Sequence, residues 1–165
     1  MKRLAAVVLL TLLTGAALSS CSPPTIGQLA IHRLGDGSLN AVIAGCKPGL
    51  QRVTAYLGDV SDSAPPAAQW TLRLDPHSLV DHVLEWPLMG RGSSDVLAVR
   101  PLEQAAVKSE ITLLGATRDN EATASSIGLT PRALRRLQPD EYAFYSLDGD
   151  VLYGTRGDFV AGTCP

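Results

Sequence analysis

The chain lacks an apolar run long enough to cross a bilayer as a helix. A hydrocarbon core of ~30 Å takes roughly 20 residues, and the apolar stretch Leu4–Leu13 falls well short. Histidine is scarce. His77 and His82 lie beside Asp75 and Asp81, but residues five apart on a strand point to opposite faces. Neither a His-x-His pair nor a His-Glu-x-x-His helix is present, so no tetrahedral metal site is expected. No Gly-x-Ser-x-Gly elbow marks a Ser-His-Asp hydrolase; Gly92-Ser93-Ser94 reads as a flexible loop with no helix behind it. No glycine-rich phosphate loop opens a helix, and no internal repeat is visible. Asp148 and Asp150 flank a turn, where aspartate serves the backbone. The absences predict no catalytic set, no metal and no cofactor. Positive charge is also short, with 14 Lys+Arg against 16 Asp+Glu. That argues against nucleic acid and against electrostatic adhesion to anionic lipid.

What is present begins at the N-terminus. Lys2 and Arg3 give a positive start, Leu4–Leu13 an apolar middle, and Thr14–Ser20 a small, weakly polar end. That is the layout of a secretory signal peptide. It closes on Leu18-Ser19-Ser20-Cys21: a branched apolar residue, two small residues and a cysteine. This stretch resembles the lipobox of bacterial lipoproteins. The resemblance implies that the Cys21 thiol receives a diacylglyceryl group and that cleavage before Cys21 leaves it as the acylated first residue, palmitate included. Several acyl chains, at ~0.8 kcal/mol per buried CH₂, hold a protein on a bilayer durably. The expected organisation is a signal peptide over 1–20, a lipidated cysteine and short Pro-rich tether over 21–28, and one domain over 29–165. Removing Lys2 and Arg3 with the signal leaves 12 basic against 16 acidic residues, a formal net charge of −4.

Three cysteines leave an odd thiol in an exported chain. With Cys21 assigned to lipid, Cys46 and Cys164 remain. An oxidising compartment favours a disulfide between them, the alternative being two buried thiols. In the chain-entropy model a loop of this length contributes on the order of 4–5 kcal/mol.

Along the chain, short β-prone runs alternate with Gly, Pro and Asp turns. Strands are expected at Leu29–Leu34, Leu39–Cys46, Gln51–Leu57, Trp70–Leu74, Val80–Trp86, Asp95–Arg100 and Val107–Ala116. Thr117–Gly128 reads as a polar loop. Two further strands, Tyr142–Leu147 and Val151–Thr155, surround Asp148-Gly149, and Phe159–Cys164 suggests a last one. Asp36-Gly37 and Asp148-Gly149 are hairpin signals, because glycine supplies the positive φ such turns need. The one helical signal runs near 131–138: Thr130 as N-cap, Pro131 at the first position, Leu134 and Leu137 on one face. The sum is a mainly β domain, an antiparallel β-sandwich with one short helix. Leu137-Gln138-Pro139-Asp140-Glu141-Tyr142 resembles the corner before a late strand in immunoglobulin-like domains. There a tyrosine hydroxyl bonds back to the backbone across the turn.

Two patches are candidate interaction surfaces. Arg132, Arg135 and Arg136 form a basic spot on the predicted helix, and arginine is enriched in interfaces. Tyr145 and Tyr153 sit on the second hairpin, where tyrosine brings contact area at low entropic cost. A solvated helix face and cross-strand packing are the plainer readings of the two. The functional expectation is a lipid-anchored binding or interaction module on the extracytoplasmic face of the cell membrane, with a protein or envelope component as partner. An envelope hydrolase assembled from distant residues, and an accessory subunit of an envelope complex, are the alternatives.

Overall fold

The computed structural model describes residues 24–47, 49–58, 68–74, 83–88 and 109–163. The expected signal segment, Cys21, Cys164, His77, His82 and the expected strand Asp95–Arg100 lie outside them.

The first hairpin joins β1 (Thr25–Arg33) to β2 (Leu39–Gly45) in antiparallel register, from Gly27 opposite Gly45 to Arg33 opposite Leu39. Its turn follows the sequence signal. Gly37 sits at φ +85°, and the Asp36 carboxylate accepts from the Ser38 amide at 2.9 Å and its hydroxyl at 2.6 Å. Two antiparallel pairs extend the sheet elsewhere: β3 (Arg52–Leu57) with β4 (Ala68–Arg73), and β6 (Ile111–Ala116) with β7 (Thr123–Leu129). β3 also pairs with β6, and β5 (Val83–Pro87) with β2. The order is β4-β3-β6-β7-β1-β2-β5. The second expected hairpin, β8 (Glu141–Tyr145) and β9 (Val151–Gly154), turns at Gly149, φ +87°.

The sheet is mixed rather than wholly antiparallel, because β1 forks. Its first half runs parallel to β7, with Gln28 opposite Ser125. Its second half runs antiparallel to β8, with Ala30 opposite Phe144 and Arg33 opposite Glu141. Gln28, at the fork, donates its side-chain amide to the Tyr145 carbonyl at 2.5 Å. A backbone acceptor left by the parting strands is thereby satisfied.

β7 lies inside the segment expected to be a polar loop. Between Leu113/Ile127 and Gly115/Ala124 the register shifts, so β7 carries one residue more than β6. The inward residues Ala124 and Ile127 are therefore three apart, and a β-bulge hides the period-two signal. The close of the chain also departs from expectation. The sequence suggests a strand over Phe159–Cys164, but Arg156–Thr163 is a helix. Its start is a capping box: the Thr155 amide and hydroxyl donate to Asp158 Oδ2 at 2.8 and 2.7 Å, and the Asp158 amide donates to Thr155 Oγ1 at 3.3 Å. The earlier helix, α1 (Pro131–Arg136), starts as predicted, with Thr130 Oγ1 accepting from the Ala133 amide at 3.3 Å. The later one is α2.

Two apolar layers result. The main core joins the inward faces of β3, β6 and β7 to β1, β2 and α1, with Leu29, Ile31, Ile43, Leu113, Ile127 and Leu137 fully buried. β1 and β2 are buried on both faces, because α2 covers the other side. There Phe159 packs with Ala30, Val42, Tyr142 and Phe144 in a second, smaller core. The absence of outward polar residues at Ala30, Val42 and Ala44 follows from that cover.

Candidate functional site

β3 alternates in facing, although Thr54 is itself buried between its neighbours. Val53, Ala55 and Leu57 enter the main core, so Arg52, Thr54 and Tyr56 face away from it. Cross-strand partners share a face. Arg73, Thr71 and Gln69 of β4 therefore stand beside Arg52, Thr54 and Tyr56, and on the other flank Leu114 of β6 stands opposite Thr54. The β6–β7 bulge bends the neighbouring pair. Gly115 lies there so close to β7 that a Cβ would meet the Ala124 Cβ at 2.8 Å.

The outcome is an open hollow of about 490 Å³ floored by four strands. Its polar lining is short and neutral for most of its length: Thr54, Tyr56, Gln69, Thr71, Thr123 and Ser126. Thr54 and Thr71 hydroxyls lie 3.2 Å apart across β3–β4, and Leu114 adds a half-exposed apolar patch. A second hollow of about 520 Å³ continues it past the start of β3, sharing Arg52 and Thr71 and adding Arg73 and Arg118. The Arg52 guanidinium donates to Asn120 Oδ1 in the β6–β7 turn. Asp119 in the same turn binds the Thr117 hydroxyl at 2.8 Å and the Glu121 amide at 3.2 Å, and those bonds, the hydroxyl's first, hold its pKa below the usual carboxylate value.

The sequence-expected surface residues lie elsewhere. Arg132, Arg135 and Arg136 are exposed on α1. Tyr145 and Tyr153 are half-buried against the main core, and their hydroxyls donate to the Gly128 and Ala133 carbonyls at 3.0 and 3.2 Å. The two tyrosines thus tie the second hairpin to β7 and α1. Arg136 joins them, its guanidinium 5.3 Å from the Tyr153 ring centroid. Cys46 follows directly on β2 with Sγ 2.9 Å from the carbonyl of Thr163, the residue before Cys164 in the chain.

Tyr142 corrects the corner expectation. Its ring stacks on His32 at 4.1 Å between centroids and 8° between planes, beside Phe159. Its hydroxyl hydrogen-bonds the Glu85 carboxylate, and burial first, then the Glu85 charge, push its pKa up. His32 Nδ1 lies 2.5 Å from Glu85 Oε1, which also accepts from Asn40 Nδ2 at 2.8 Å. Sequence reasoning missed this cluster, since its members come from four strands. It missed the groove for the same reason: only the register aligns Arg52 with Arg73. Among the described residues no group of His, Cys, Asp and Glu is arranged to hold a metal ion, and no helix is long and apolar enough to cross a membrane. Comparison with protein families, with curated proteins and with solved structures finds no match to this chain.

Proposed function

We propose that the chain is an extracytoplasmic lipoprotein whose β domain is a non-enzymatic binding module held close to the membrane by acyl groups on Cys21. The observation that carries the binding half is the groove along β4, β3, β6 and β7. It is open among the described residues and floored by hydrogen-bonded strands, so its polar groups are held in fixed positions. The His32–Glu85–Tyr142 cluster is read as structural. The His32 residue is 8% exposed and its ring face is covered by Tyr142. The anchoring half rests on Lys2 and Arg3, the apolar run and Leu18-Ser19-Ser20-Cys21. The domain is taken as sandwich-like in outline, because β8, β9 and α1 close the core over the face of β3, β6 and β7. A Cys46–Cys164 disulfide belongs to the same reading, supported by the contact of Cys46 with Thr163.

Intact mass of the membrane-extracted protein, with alkylation before and after reduction, tests anchor and bridge together. Cleavage before Cys21 plus acyl mass, with Cys46 and Cys164 alkylated only after reduction, is expected. An unacylated, freely alkylated chain overturns both. The groove is tested by placing a photocrosslinking residue at Tyr56 or at Val160 on α2 in cells. Adducts are expected from position 56 and not from 160. Equal yields remove the groove as the binding face.

A further inference from the structure

The groove has a charge pattern along its length. Arg52 and Arg73 are direct cross-strand partners, so their Cβ atoms stand about 4.5–5.5 Å apart on one face. Like charges so placed destabilise a strand pair. Arg118 from the β6–β7 turn lines the same hollow. Among the described residues no carboxylate lines either hollow, and the one carboxylate–cation contact within 4.0 Å is His32–Glu85, in another part of the domain. Three arginines therefore converge without a described acidic partner, in a chain whose acids outnumber its bases. Like charges so opposed form a local excess of positive charge that an anion would offset.

The rest of the groove is different. From Arg52 to Tyr56 is four residues, about 13 Å of strand, and over that distance the polar lining turns to hydroxyls and amides beside Leu114 and the Tyr56 ring. A ligand matching both ends carries fixed negative charge and a body rich in hydroxyls. We propose that the groove binds a segment of an acidic polysaccharide, with its carboxylates or phosphates against Arg52, Arg73 and Arg118 and its sugar or polyol body over Thr54, Thr71 and Tyr56. Arginine suits the charged end, because its planar fork pairs with two oxygens of one carboxylate or phosphate. Arg52 is already oriented by Asn120. This inference rests on the reading of the domain as a binding module and specifies its ligand.

The test uses the full chain in detergent micelles, titrated with galacturonate hexamer, its methyl-esterified counterpart and a glycerol-phosphate oligomer. A parallel series uses phosphatidylglycerol vesicles. Binding of an acidic oligomer that weakens with added salt is expected. Arg73→Gln and Arg52→Gln each should weaken it roughly tenfold or more, the scale of one charge-assisted hydrogen bond. Arg73→Lys should retain part of the affinity, and Arg132→Gln on α1 should leave it unchanged. Circular dichroism checks that each variant folds. The esterified chain binding as well as the acid overturns the charge argument while leaving a binding module in place. Vesicle binding through the same arginines, with no oligomer bound, replaces the polysaccharide with the membrane surface. No binding of either acidic oligomer at millimolar concentration overturns the inference. The crosslinking yield at Tyr56 then decides separately whether the module reading survives.

Discussion

Truncating Phe159 to alanine isolates what holds α2 on the sheet. Phe159 is fully buried and closes the second core over Ala30, Val42, Tyr142 and Phe144. Removing a fully buried phenylalanine side chain costs about 3–5 kcal/mol through lost transfer energy and the cavity left behind. The polar ties of the helix are weaker. The Thr163 hydroxyl, with one proton, lies 3.0 Å from Gln28 Oε1 on β1 and 2.7 Å from the Phe159 carbonyl within the helix, and a bond of this kind contributes about 0.5–1.5 kcal/mol net. Apolar docking therefore outweighs the polar ties, and the comparison is made on the reduced chain so that the proposed Cys46–Cys164 bridge cannot hold the end of α2. Because the main core shares few side chains with this layer, the loss should be local first. Native-state hydrogen exchange on Phe159→Ala is expected to show the α2 amides exchanging through small openings, with β3 and β6 protected to the global limit. The midpoint of unfolding should fall by an amount capped at the docking energy of α2. Val160→Ala, on the same helix but 44% exposed, should stay within ~0.5 kcal/mol. A Phe159→Ala loss below ~1 kcal/mol with unchanged α2 protection would show that Phe159 does not anchor the helix, and the two-core description would fail.

Three further outcomes follow from the geometry. Tyr142 should ionise above the ordinary tyrosine value in an ultraviolet pH titration, read as the signal lost in Tyr142→Phe, because burial and the Glu85 charge raise its pKa. A folded-state pKa raised above the unfolded one gives stability that is present below the ordinary tyrosine pKa and lost as pH climbs through the raised value. Stability measured by unfolding in alkali should therefore fall in the wild type more than in Tyr142→Phe. Gly115→Ala should destabilise by about 1–3 kcal/mol, since the new Cβ meets the Ala124 Cβ at 2.8 Å. Ala124→Gly in the same chain should recover part of that loss in a double-mutant cycle by denaturant unfolding. Thr130→Ala should cost about 1 kcal/mol by removing the cap on the Ala133 amide, read as a shift in denaturant midpoint at constant slope.

The two hairpins and the α1 cap were legible in the sequence because each depends on residues within a few positions of one another. Gly37 and Gly149 take the positive φ that their Asp-Gly steps announce, and Thr130-Pro131 starts a helix by local hydrogen bonding. The capping box at Thr155 is equally local, but Gly157 and Gly162 dilute the helical signal and Phe159-Val160 is β-prone. β7 was unreadable for a different reason: the bulge that fits it against β6 breaks the alternation that would have revealed it. The mixed sheet, the fork at Gln28, the double-sided burial of β1 and β2, and the meeting of Arg52 with Arg73 were set only by the tertiary structure. Each depends on which strands lie side by side, and pairing between distant segments is fixed by the packing of the whole core rather than by any stretch of neighbouring residues.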